Sequence, residues 1–260
     1  MNIIVPTDFS PISLNAAQFA AQMLTGQYEA NLILYHVYSD AKEANEAQAK
    51  LKELKDRLLD DSIVKIECVA EESDDFIESL DRKIRYSDAV LVVMSINDKS
   101  RMEQVISSSN SLRMIDKSLC PVMVIPYDAK FSQIKNVALA SDFKDVQNSI
   151  PLVPVKKVLG IFQPNLHIVN INSEIYVSLS EEYLEQRKNM LEMFQEFHPE
   201  FYFITTYDFH ETLRQFIDDK HIDLVLTFPR KHSFINNLIK GNNTKKLVFE
   251  SSIPVLAAHE

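Results

Sequence analysis

One pattern occurs twice in this chain, and that repeat limits what it can fold into. Asn2-Ile3-Ile4-Val5-Pro6-Thr7-Asp8-Phe9 returns about 134 residues later as Asn136-Val137-Ala138-Leu139-Ala140-Ser141-Asp142-Phe143. Asn31-Leu32-Ile33-Leu34-Tyr35-His36-Val37 returns at the same offset as Asn165-Leu166-His167-Ile168-Val169-Asn170-Ile171. Near the end of each half, Leu119-Cys120-Pro121-Val122-Met123-Val124-Ile125 is answered by Ser252-Ile253-Pro254-Val255-Leu256-Ala257-Ala258. Three blocks in one order at one spacing require two copies of one domain, residues 1–130 and 131–260. At 260 residues, each copy is long enough to bury its own core.

Each copy alternates short apolar runs with longer amphipathic stretches, the pattern of βα units around a parallel sheet. In the first copy, strands are expected at Asn2–Pro6, Leu32–Tyr38, Ile63–Val69, Ala89–Met94 and Pro121–Ile125. In the second they fall at Asn136–Ala140, Asn165–Ile171, Phe201–Thr205, Asp223–Thr227 and Pro254–Ala258. The first-copy runs are apolar throughout, as in strands covered on both faces. Helices fill the gaps. Ser10-Pro11 is an N-cap followed by proline at the first helical position. Further helices are expected over 40–59, Ser73–Ile84 and Ser111–Lys117, then Ser149–Leu159, Ser180–Phe197, Glu211–Asp219 and Thr244–Glu250. Pro151 and Pro154 delay or disturb the start of the helix that holds them.

Charge and cysteine content exclude several roles. With 27 basic and 37 acidic residues the net charge is −10, which repels nucleic acid, and the single basic run is Lys240–Lys246. Those lysines read as a solvated helix end. Cys68 and Cys120 have no metal or redox spacing and read as packed, reduced thiols. No apolar stretch is long enough to cross a bilayer, and the first strand begins at residue 2, so the expectation is a cytoplasmic protein without membrane contact. Glycine is scarce. Three in 260 residues lie far below the roughly 7% average, and loops that grip phosphate usually need it.

In a doubly wound sheet, ligands sit beyond the carboxyl ends of the strands, where the chain order reverses. That directs attention to the residues after Val5, Val37 and Met94, and to those after Leu139, Ile171 and Thr227. The run Pro6-Thr7-Asp8-Phe9-Ser10, with His36-Val37 ending the second strand and Cys120-Pro121-Val122 opening the last, resembles the universal stress protein family. The resemblance spans nearly the whole chain as two tandem copies. It implies two doubly wound α/β domains of the adenine-nucleotide alpha-hydrolase-like type, each a five-stranded parallel sheet with helices on both faces. It further implies that they pair as an internal pseudo-dimer through their last strands, which would remove two exposed edges. A homodimer of whole chains is compatible with this pattern.

Members of that family that hold ATP use the end of the first strand and a valine ending the second for the adenosine. A loop of pattern G-x-x-G, nine residues, then G-S/T holds ribose and phosphates. Carried over, the first copy offers Pro6, Thr7, Asp8 and Val37, with Met94 and Ser95 ending the fourth strand. Its loop counterparts are Ser95, Asp98, Ser108, Ser109 and Ser111: the nine-residue spacing survives, all three glycines are gone, and Asp98 opposes phosphate. The second copy offers Ala140, Ser141, Asp142 and Ile171, then Phe228, Lys231, Gly241, Asn242 and Thr244. Lys231 has the right charge, while Phe228 sets a large ring where close backbone approach is needed. Read without the resemblance, Asp8 and Asp142 serve equally as loop caps, and Ser107–Ser111 as a polar turn ending in an N-cap. His36 and His167 pack within strands, which leaves His232 as the one histidine with a ligand role to consider.

No G-x-S-x-G elbow, H-E-x-x-H or complete P-loop occurs, and Asp8 and Asp142 belong to separate copies, so an enzyme is not expected. Two readings stay open. One is a stress-response regulator that binds adenine nucleotide, with ATP as the implied cofactor and the first copy as the better adenosine site. The other is a nucleotide-free interaction module, its partner unknown, whose altered loops serve pairing or docking.

Overall fold

A computed structural model of the protein describes residues 1–95, 110–117, 120–172, 181–205, 209–228 and 252–258. The chain divides into two compact units, Met1–Ser132 and Gln133–Glu260.

Unit 1 contains strands β1 (Asn2–Pro6), β2 (Asn31–Tyr38), β3 (Lys65–Glu72), β4 (Ala89–Ser95) and β5 (Val122–Ile125). They lie in the order β3-β2-β1-β4-β5, every neighbouring pair parallel. Helices α1 (Pro11–Met23), α2 (Ala44–Asp61), α3 (Phe76–Ser87) and α4 (Asn110–Lys117) supply the crossovers. Unit 2 repeats the plan with β6 (Asn136–Ala140), β7 (Asn165–Asn172), β8 (Glu200–Thr205), β9 (Leu224–Thr227) and β10 (Val255–Ala257), in the order β10-β9-β6-β7-β8 and again parallel throughout. Its described helices are α5 (Val146–Ser149), α6 (Leu152–Phe162), α7 (Glu181–Phe194) and α8 (Phe209–Asp219). The five-stranded doubly wound sheet expected for each half is present in both.

Central strands are apolar because both faces are covered. Ile3, Ile4, Val5, Leu91, Val92 and Val93 are fully buried, as are Val137, Ala138, Leu139, Leu224, Val225 and Leu226. The edge strand β3 departs from that rule. It starts two residues later than the apolar pattern predicts, and Ile63, expected inside it, lies outside and is 72% exposed. The reason is position: β3 pairs with β2 alone, from Asn31↔Lys65 to Tyr38↔Glu72, so one edge is open and polar residues are tolerated along it.

Helix ends follow their capping chemistry. Ser10 Oγ accepts from Ser13 N at 3.3 Å, with Pro11 opening α1. Asp75 accepts from Ile77 N and Glu78 N, both at 3.0 Å, so α3 starts at Phe76 rather than Ser73. Pro151 and Pro154 act as anticipated: the segment is interrupted at Ile150 and Pro151, giving a short α5 and a separate α6. The expected helix Thr244–Glu250 lies outside the described residues.

Candidate functional site

The chain order in unit 1 reverses between β1 and β4, which both flank the start of the sheet's two wings. Beyond the carboxyl ends of β1, β2 and β4 a cleft of about 600 Å³ opens, within the size range of small-molecule sites. Six of the residues singled out by sequence line it at or just beyond the ends of β1, β2 and β4: Pro6, Thr7, Asp8, Val37, Met94 and Ser95. Ser111, in the first turn of α4, closes a further side, its Oγ donating to the Ser95 carbonyl at 2.7 Å. Ser108 and Ser109 lie outside the described residues, as does Asp98.

The turn after β1 is held by a set of local hydrogen bonds. Thr7 N donates to the Tyr35 carbonyl at 2.8 Å, continuing the β1–β2 ladder past Pro6. Phe9 N donates to Thr7 Oγ1 at 3.0 Å and Ser10 N to Asp8 Oδ1 at 3.0 Å, which turns the chain into α1. Phe9 takes φ of 63° at the apex of that turn. Asp8 Oδ1 also accepts from Ser10 Oγ at 2.6 Å and Ser13 Oγ at 2.7 Å, while Ser13 Oγ lies 3.0 Å from Thr7 Oγ1. Burial would raise the Asp8 pKa, but the hydrogen bonds from Ser10 and Ser13 outweigh it and hold the carboxyl below its ordinary range. Asp8 therefore serves as a loop cap through one oxygen, and its exposed carboxylate still faces the cleft.

Sequence reasoning passed over several lining residues. His36, read from sequence only as packing within its strand, is one: its Nδ1 donates to the Thr7 carbonyl at 2.8 Å, its ring lies tilted at 45° to Phe9 with centroids 4.5 Å apart, and it lines the cleft. The signal was available in its place next to Val37 at the end of β2. Glu43, Ser73, Asp74 and Phe76 also line the cleft, from the turn after β2 and from the β3–α3 connection. No motif marks those four, because separate crossovers bring them in. Three lining residues are carboxylates, Asp8, Glu43 and Asp74, and among the described lining residues none is lysine or arginine.

Unit 2 reproduces the turn with different consequences. Ser141 N donates to the Val169 carbonyl at 3.0 Å, Phe143 N to Ser141 Oγ at 3.1 Å, and Lys144 N to Asp142 Oδ1 at 3.1 Å. Asn170 Nδ2 donates to the Ser141 carbonyl at 2.8 Å, as His36 does to Thr7, and Phe143 repeats the positive φ of Phe9 at 55°. Where Ser10 and Ser13 grip Asp8, however, the repeat has Lys144 and Gln147. Phe143 is buried against Tyr183, Phe203 and Phe201 at 5.3, 5.7 and 6.0 Å. Phe228, the counterpart of cleft-lining Ser95, is buried too. Ile171, one residue before the end of β7, pairs with Ile204. Lys231, Gly241, Asn242, Thr244 and His232 lie outside the described residues.

Among the described residues, no cluster of three or more His, Cys, Asp or Glu converges on a metal position, and no helix is long and apolar enough to cross a membrane.

Two repeated doubly wound units, with a cleft beyond the sheet's reversal point in the first, define a doubly wound α/β protein. Residues 1–126 match the model of the Universal stress protein family, and this part of the chain belongs to that family. A universal stress protein from Archaeoglobus fulgidus DSM 4304 has the same fold, with a TM-score of 0.68 at 13% identity over 100% of this chain and 96% of that one. A putative universal stress protein from Pseudomonas aeruginosa UCBPP-PA14 gives 0.65 at 11% identity, covering 99% and 92%. The cytoplasmic domain of a prokaryotic cation chloride cotransporter gives 0.54 at 9% identity, covering 100% and 95%. A search of curated protein sequences finds no match. Likeness at these identities establishes fold, and function has to be argued from the site.

Proposed function

We propose that unit 1 binds the adenosine end of an adenine nucleotide in the cleft beyond β1, β2 and β4, and that the chain is a non-catalytic, cytoplasmic stress-response regulator. The observation that carries this reading is the gathering of Pro6, Thr7, Asp8, Val37, Met94 and Ser95 on one cleft of about 600 Å³. Pro6 and Val37 offer apolar contact for a base, while Asp8, Ser95 and the Ser111 segment offer polar groups for a ribose. Unit 2 lacks the serine grip on its aspartate and carries buried rings at Phe143 and Phe228, so unit 1 is the proposed binder.

The second reading, a nucleotide-free docking module, draws support from the same wall: Asp8, Glu43 and Asp74 repel phosphate, and of the three phosphate-loop glycines the first copy keeps none and the second only Gly241. Thermal-shift titrations with adenosine and with ATP plus Mg²⁺, on wild type, Asp8→Ala and Asp142→Ala, separate the two. Ligand at a hundred times its dissociation constant stabilises its domain by about 2.7 kcal/mol. A saturable shift that survives in Asp142→Ala and is lost in Asp8→Ala supports binding in unit 1. No saturable shift at millimolar ligand overturns it and leaves the docking module.

A further inference from the structure

The amino end of the unit 1 sheet, opposite the cleft, carries a run of exposed apolar side chains. Each sits just before a strand: Met1 before β1, Tyr28 before β2, Ile63 before β3 and Tyr86 before β4. Tyr28, Tyr86 and Ile63 are 90%, 85% and 72% exposed, and Met1 and Leu59, in the last turn of α2, are also open to solvent. Hydrogen bonds show that the four segments adjoin. Met1 N donates to the Glu29 carbonyl at 2.7 Å, Gly26 N to the Ile63 carbonyl at 3.2 Å, and Asn2 Nδ2 to the Ser87 carbonyl at 2.6 Å. Isolated exposed apolar residues are ordinary, but an adjoining series marks an interaction surface.

The internal repeat shows that the fold does not require this surface. Carrying the strand register into unit 2, Met1 corresponds to Lys135, Ile63 to Glu196 and Tyr86 to Asp219, while Tyr28 corresponds to Phe162. Glu196 is spent in an ion pair with Lys156 at 3.1 Å. The same scaffold carries charged side chains at three of these four positions in one copy and apolar ones at all four in the other.

Charge indicates what the surface receives. Glu29, Asp60, Asp61 and Asp88 are exposed in the same loops and helix ends. Of the cations nearby, Arg85 is engaged by Asp81 at 2.9 Å and Lys83 by Glu67 at 3.5 Å, while Lys65 and the Met1 ammonium are exposed, which leaves the carboxylates in excess. An apolar strip rimmed by carboxylates suits a protein segment that presents aliphatic side chains flanked by lysine or arginine. We infer that the amino end of unit 1 is a docking surface for a basic, apolar segment of a partner protein. This inference is independent of nucleotide binding in the cleft.

The test uses the full chain, isotope-labelled for NMR, with two synthetic amphipathic peptides: one of leucine and lysine, one of leucine and glutamate. Saturable shifts from the leucine–lysine peptide should centre on Met1, Tyr28, Ile63 and Tyr86. Tyr28→Ser with Ile63→Ser should weaken that binding by about tenfold, the effect of removing central apolar anchors. Both side chains are exposed, so unchanged thermal unfolding of the variant checks that its fold is intact. Equal binding of the leucine–glutamate peptide, no saturable binding, or binding undiminished in the variant would each overturn the inference. So would a concentration-dependent dimer in sedimentation that the double variant abolishes, since that assigns the surface to a second copy of this chain.

Discussion

Replacing Asp8 by alanine removes the acceptor that Ser10 N, Ser10 Oγ and Ser13 Oγ share, at 3.0, 2.6 and 2.7 Å. A buried hydrogen bond to a charged acceptor contributes about 1.5–3 kcal/mol, but these three act as one unit around an exposed carboxylate and are screened by water. Ser13 Oγ also keeps its contacts with Thr7 Oγ1 at 3.0 Å and the Ser10 carbonyl at 3.1 Å. The net loss should therefore be about 1–2 kcal/mol, comparable with removing a helix cap. In a domain of this size, that lowers Tm by roughly 3–8 °C. The assay is thermal unfolding of the ligand-free full chain at pH 7 and again near pH 3. Asp8 is held below its ordinary carboxylate pKa in the fold, so its contribution is complete above the ordinary value of 3.8 and disappears as pH falls through the folded value. The gap between wild type and Asp8→Ala should narrow at low pH. Asp8→Asn keeps an acceptor oxygen and should recover part of the loss at pH 7. A Tm unchanged by Asp8→Ala at pH 7, or a gap that persists undiminished in acid, would refute the reasoning. The same pair of variants bears on ligand binding: a nucleotide response lost in alanine and kept in asparagine would trace to the turn's geometry rather than to the aspartate's charge.

Other consequences are accessible to simple measurements. Tyr35 is fully buried and donates to Glu71 Oε2 at 2.7 Å, with Arg82 on the other carboxylate oxygen, so Tyr35→Phe should cost about 1–2 kcal/mol by denaturant unfolding; no loss would mean the hydroxyl contributes nothing net. Burial holds the His167 imidazole below its ordinary 6.5, with Glu200 opposing and Lys220 reinforcing. Its contribution to unit 2 is complete above 6.5 and lost as pH falls toward the folded value, so His167→Gln should flatten the stability slope between about pH 7 and 5. An unaltered slope would exclude His167 as its source. Burial pushes the Cys120 thiol up to about 12, whereas Cys68 is only partly buried. A thiol reagent at pH 8 should modify Cys68 first and Cys120 only on unfolding, and the reverse order would contradict the packing.

The repeat at Asn2–Phe9 and Asn136–Phe143 determined the essential architecture, because apolar runs of strand length separated by amphipathic stretches leave a parallel α/β sheet as the way to bury both. It also placed Pro6, Thr7, Asp8, Val37, Met94 and Ser95 at strand ends, and strand ends converge where the sheet reverses. Local sequence could not place Glu43 on the same wall as Asp74 and Phe76, since they arrive on two different crossovers and none carries a motif. Nor could it show that β3 is an edge, which is why Ile63 looks like a core residue in sequence and lies in solvent in the fold. The two Asp-Phe turns are nearly alike as sequence, and tertiary packing separates them. Ser10 and Ser13 bind Asp8 beside an open cleft, while Phe143 is buried against Tyr183, Phe201 and Phe203. Pattern and propensity act between near neighbours and so fix strands and turns; which side chains share a wall depends on contacts between residues far apart in the chain, and only the folded sheet supplies those.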